Sequence, residues 1–256
     1  MKLQLRSLYL LIVCLFTVAI SACANNSKET ASQDTVVVIE EAMEIPQAPK
    51  KVSILGDSYS TFEGYVPSEN ISWYKPVPKE GRPTDVTNVD QTWWKIFIDK
   101  NGYELEKNNS YSGSTICNTG YGKNDYSDRS FVTRLTDLGN PDLILVYGGT
   151  NDSWANSPLG EFVWENFTPK QLYSFRPAYA YMLQEMKKTY PDAEVVVMLN
   201  KDLTKQEIIE SITQICDHYG VKSVIIENIE KMSDHPDIKG MQQIVEQLEA
   251  AMQQKV

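Results

Sequence analysis

The stretch "VSILGDSYSTFEGY" (52–65) runs an apolar, β-branched segment straight into Gly56, Asp57 and Ser58. Gly, Asp and Ser are common turn formers, so a plain turn is one reading. The other is a serine hydroxyl held at the carboxyl end of a buried strand, where open α/β sheets place their chemistry. Three more polar landmarks follow apolar or extended runs: Gly113 in "NNSYSGST", Asn151 in "GGTND" and His235 in "SDHP". A hydroxyl, a glycine, a neutral amide and an imidazole so far apart in the chain act together only if the fold gathers them at one edge.

The elements that would position them recur along the chain. Extended runs are "KVSIL" (51–55), the weaker "YELEKN" (103–108), "PDLILVYGG" (141–149), "AEVVVML" (193–199) and "VKSVIIEN" (221–228). Between them, "DQTWWKIFIDKNG" puts Trp93, Trp94, Phe97 and Ile98 on one helical face and ends at Gly102. A long helix is expected from an N-cap at Thr168 and Pro169, with a kink at Pro177. Another opens with a capping box from Thr204 to Glu207 and closes at Gly220. The last follows Pro236, with Ile238, Met241, Val245, Leu248 and Met252 at helical steps. Strands alternating with helices imply an α/β fold with a parallel sheet covered on both faces. The irregular segment 59–90 is long enough to read as functional.

Composition narrows the partners. The chain has 256 residues, 42% hydrophobic and 23% charged, with a formal charge of −10. That suits one globular domain and leaves no basic face for nucleic acid or an anionic membrane surface. Residues 1–22 read as a leader: Lys2 and Arg6, the apolar "SLYLLIVCLFTVAI", then a small-residue cleavage region. "ISAC" resembles the lipobox of bacterial lipoproteins, which implies a lipid on Cys23 and a cell-envelope location, tethered to a membrane through that lipid. An uncleaved anchor or an ordinary signal peptide is the alternative. Losing residues 1–22 removes two positive charges and no acids, taking −10 to −12. Segment 23–48 reads as a flexible tether with one short strand near Val36–Ile39, and 49–256 as the folded domain. Cys117 and Cys216 remain in it, and their spacing leaves pairing open.

The order Gly-Asp-Ser, a loop glycine, "GGTND" and a late His-Pro before a terminal helix resembles the SGNH (GDSL-type) hydrolases, over roughly residues 51–254. The resemblance implies a flavodoxin-like, five-stranded three-layer α/β/α sandwich that cleaves esters or thioesters, including acetyl groups on sugars. It also implies Ser58 as nucleophile, His235 as its base, and an oxyanion hole from the N–H groups of Ser58 and Gly113 and the Asn151 amide. The other histidine, His218, sits in the last turn of a helix, where a cation suits the helix dipole. Asp57 reads as a structural hydrogen-bonding residue.

One departure stands out. The family pattern has an Asp three residues before the histidine, and here that residue is Met232. The third member is left open among Asp234, Glu230 and a backbone carbonyl near Met232 that would make a Ser–His dyad. Asp234 capping the terminal helix is its structural alternative. Trp73, Tyr74, Trp93, Trp154 and Trp164 lie in or near the loops after the first and third strands and favour a carbohydrate ester over a lipid or thioester substrate. No metal or cofactor is expected, since zinc-ligand spacings and a phosphate loop are missing from the sequence. The rival class is a catalytically impaired glycan-binding lipoprotein on the same fold.

Overall fold

Alternating side chains sort the strands onto two apolar layers. In the computed structural model, which describes residues 48–254, β1 spans Lys51–Gly56, β2 Glu104–Asn108, β3 Leu143–Tyr147, β4 Glu194–Asn200 and β5 Lys222–Ile226. All pair in parallel in the order β2-β1-β3-β4-β5. One register irregularity falls between Val52 and Ser53 against β2. Val52, Ile54, Leu143, Leu145, Val196 and Met198 join one core, whereas Leu55, Ile144, Val146, Val197 and Leu199 join the other. Period-two burial on both faces is what a central parallel strand requires.

Helices close each layer. The first core takes α1 (Trp93–Lys100) and α6 (Ile238–Gln253), and the second takes the short α2 (Phe131–Arg134), α4 (Phe175–Thr189) and α5 (Gln206–Tyr219). A further one-turn helix, α3 (Thr150–Trp154), follows β3 directly. The result is the expected three-layer α/β/α sandwich. Trp93, Trp94, Phe97 and Ile98 are buried as one face of α1.

Some expected boundaries move because the threonines expected to cap them bond elsewhere. The helix expected from Thr168 begins at Phe175; "QLY" (171–173) forms a separate 3-10 turn, with Gln171 Oε1 accepting from Thr168 N and Oγ1. Pro177 therefore sits in the first turn of α4, where its missing N–H costs nothing and no kink is needed. The Thr204 capping box is also absent: the N-cap of α5 is Lys205, and Thr204 Oγ1 instead meets Ser153 Oγ at 3.0 Å. Cys117 and Cys216 are free, buried thiols and do not pair. The leader, Cys23 and the Val36–Ile39 strand lie outside the described residues.

Candidate active site

Ser58 stands where β1 ends. Gly56 is the last strand residue, and a Cβ there would come within 2.6 Å of Ser60 and 2.7 Å of Ser110, so only glycine lets the two loops close. Asp57 Oδ1 accepts from Tyr59 N at 3.1 Å and caps the 3-10 turn Ser58–Ser60. Burial drives the Asp57 carboxyl up to about 7, partly offset by the Tyr59 N–H, the Arg134 guanidinium and the nearby Asn151 side chain, although no hydrogen bond joins Asn151 Nδ2 to Asp57. Asp57 thus serves as the hydrogen-bonding residue read from the sequence.

His235 reaches Ser58 across the sheet edge, with Nε2 2.9 Å from Oγ. It belongs to a two-residue hairpin that sequence periodicity could not reveal: β6 (Lys231–Met232) pairs antiparallel with β7 (His235–Pro236). The turn residues Ser233 and Asp234 both have positive φ, 52° and 62°, as the tightest hairpins demand. This turn aims the Ser233 carbonyl at His235 Nδ1, 2.8 Å away. A carbonyl only accepts, so Nδ1 carries the proton and Nε2 presents a lone pair to the Ser58 hydroxyl.

Asp234 is thereby corrected as the ring's partner: its carboxylate makes no hydrogen bond to the imidazole, because the turn sends its backbone, rather than its side chain, into the site. Its carbonyl accepts from Tyr59 Oη at 2.6 Å, and the Pro236 carbonyl accepts from Tyr74 Oη at 2.7 Å. Two buried tyrosines thus pin the hairpin on either side of His235. Glu230 turns away to pair with Lys239. Asp234 does not cap the terminal helix either, since Asp237 Oδ1 accepts from Gly240 N at 2.8 Å.

Three donors surround the hydroxyl without acceptors. The Ser58 and Gly113 N–H groups bond to nothing among the described residues, and Asn151 Nδ2 is buried with no partner. Gly113 has φ +83° with open space where a side chain would go, so conformation rather than crowding calls for glycine. Asn151 lies in α3, and its Oδ1 accepts from Tyr121 Oη at 2.7 Å, which leaves the amide nitrogen as the free end. Tyr121 lies in a loop with no apolar period to mark it, and the sequence reading missed it.

The loops are braced from below. Arg134, fully buried, donates to the carbonyls of Asn109, Gly56 and Arg129 and to Ser114 Oγ at 2.9 Å, tying the end of β1 to the loop that carries Gly113. Burial pulls its guanidinium down to about 9. Asp152 Oδ2 accepts from Ile116 N at 2.7 Å, and burial drives its carboxyl up to about 7. Arg134 ends the short α2 and had no spacing to mark it, whereas Asp152 closes the "GGTND" block, which gave it no role of its own.

Trp73 stacks on His235 with ring centroids 3.5 Å apart and planes 7° from parallel. It lines a cleft of about 260 Å³ with Ser58, Gly113, Tyr121, Asn151 and Trp154. A larger depression of about 550 Å³ runs beside it along residues 63–75 but holds none of these groups. Of the other aromatics, Tyr74 and Trp93 are core residues, while Trp164 stacks on His218 at 4.1 Å on a distant loop. Burial pushes the His235 imidazole down to about 4, with the Ser233 carbonyl and Asp234 opposing and Arg82 and Lys231 adding to the fall. No group of three or more His, Cys, Asp or Glu side chains able to hold a metal occurs among the described residues. The arrangement can take a proton from a hydroxyl and receive a developing oxyanion.

Comparison with known proteins places this geometry. The GDSL-like lipase/acylhydrolase family profile matches residues 50–252. A crystal structure from Bacteroides ovatus, assigned as a GDSL-like lipase, is 52% identical with a TM-score of 0.79, covering 82% of this chain and 100% of that one. Another from Bacteroides uniformis is 51% identical with a TM-score of 0.78, covering 80% and 96%. A carbohydrate esterase at 17% identity and a TM-score of 0.59, over 82% of this chain and 70% of that one, shares the fold. No curated protein matches the chain. With the profile spanning the whole sandwich and about half of the aligned positions identical in two solved relatives, the chain belongs to the GDSL-like lipase/acylhydrolase family and is an ester hydrolase.

Proposed function

We propose that the protein is a serine esterase that removes short acyl groups, acetyl above all, from carbohydrates. The observation that carries this reading is the set of three unspent donors around a hydroxyl already bonded to an imidazole. An unpaired buried amide is rare, and beside two N–H groups without a protein partner the Asn151 amide suits a transient anion. Ser58 Oγ attacks the ester carbonyl as His235 Nε2 takes its proton. The carbonyl oxygen becomes an oxyanion held by the Ser58 and Gly113 N–H groups and the Asn151 amide. His235 then returns the proton to the departing sugar oxygen, leaving an acyl-serine. Water repeats the sequence through the same base and frees the acid.

A cleft of about 260 Å³ suits a short acyl group and a sugar ring better than a long lipid chain, and Trp73 and Trp154 offer the flat faces sugars stack on. Cys23 is proposed to carry the lipid that holds the enzyme at the cell envelope. The test is hydrolysis of p-nitrophenyl acetate and acetylated oligosaccharides by the purified protein and by Ser58→Ala. Loss of at least about a thousandfold in turnover is expected for the variant. Equal inertness of both proteins on every ester would leave a glycan-binding protein instead.

A further inference from the structure

We propose that the sugar bearing the ester is acidic, and that Arg82 binds its anionic substituent beside the scissile bond; this rests on the esterase reading above. Arg82 lines the cleft and lies over Trp73 in a cation–π contact, its guanidinium carbon 5.1 Å from the ring centroid. Trp73 lies in turn flat against His235. The guanidinium carbon therefore lies no farther from the imidazole centroid than those two spacings combined.

Neighbouring cations are already engaged. Lys231 pairs with Asp202 at 2.5 Å and Lys75 with Glu63 at 3.3 Å. Among the described residues Arg82 makes no ion pair and no side-chain hydrogen bond, and it is exposed to the cleft. The cleft wall also contains no carboxylate, although acids outnumber basic residues 34 to 24 in the chain. An acid-free wall with one unpaired guanidinium, on a protein that otherwise repels anions, is complementary to an anionic ligand. Contact with the indole holds the guanidinium at the cleft, and its unpaired N–H groups can meet a carboxylate or sulfate with two parallel bonds. A neutral sugar would leave that edge unused.

The test is binding by the full chain carrying Ser58→Ala, which cannot turn the ligand over, using oligogalacturonate, its carboxyl-reduced counterpart and a sulfated neutral oligosaccharide. An acidic ligand is expected to bind about tenfold more tightly than the reduced one at low salt. Arg82→Gln should erase that advantage, Arg82→Lys should keep part of it, and added salt should diminish it. Preference for the carboxylated or the sulfated probe names the anion. Equal affinity for acidic and reduced ligands, or an advantage that survives Arg82→Gln, overturns the proposal. Fluorophosphonate labelling of the wild-type chain reads the hydrolase claim separately, so either can fail alone.

Discussion

At the scale of single residues, the imidazole is oriented by a backbone carbonyl where a carboxylate is usual. The Ser233 carbonyl fixes the tautomer, the Trp73 face fixes the ring plane, and Tyr59 and Tyr74 fix the backbone on either side. A carboxylate in a triad is worth about 10⁴ in turnover when changed to its amide. Asp234→Asn tolerates the same positive φ and leaves the carbonyl in place, so kcat for p-nitrophenyl acetate should fall by less than about tenfold. A drop of a thousandfold or more would make Asp234 the ring's partner in the working enzyme. Ser58, Gly113, Asn151 and His235 could be picked out as candidates because each follows a strand of the parallel sheet and the only other histidine, His218, lies in a helix. The ring's partner was not, because a main-chain carbonyl has no residue type to read.

At the scale of elements, the site depends on loops after β1, β2 and β3 being held at fixed spacing, and Arg134 is the main brace. Its planar fork reaches three carbonyls and a hydroxyl at once. Lysine has one compact ammonium and cannot repeat that geometry. Arg134→Lys should lower stability by about 2 kcal/mol and reduce kcat more than it changes KM, read by thermal melts and steady-state kinetics. An unchanged kcat would mean that Gly113 needs no support from below. The buried strands were legible because apolar runs of β3 and β4 admit little else. The starts of α4 and α5 were misplaced because Thr168 spends its hydroxyl on Gln171, which opens a separate 3-10 turn, and Thr204 spends its own on Ser153, a partner that only the folded chain brings near.

At the scale of the whole molecule, burial sets the pH response. With its imidazole pushed down to about 4, His235 is already neutral at pH 5. The kcat/KM for an uncharged ester should therefore rise through about pH 4 and be flat from pH 5 upward; a half-maximum near 6.5, the ordinary histidine value, would contradict this. Stability contributions run both ways. The depressed His235 contributes stability that is present above its unfolded value and lost as pH falls toward 4. Asp57 and Asp152, raised to about 7, contribute stability that is present below their unfolded value near 4 and lost as pH rises through 7. Activity is therefore complete by pH 5, well below the range near 7 in which the two buried carboxyls give up protons.

The most direct measurement is peptide mapping after reaction with a fluorophosphonate, which bonds only to a serine whose proton a neighbouring base can take. The account predicts one adduct, on Ser58, abolished in Ser58→Ala and reduced at least about a hundredfold in rate in His235→Ala. Labelling at a different residue, or an unmodified Ser58 under conditions where the protein hydrolyses esters, would contradict it.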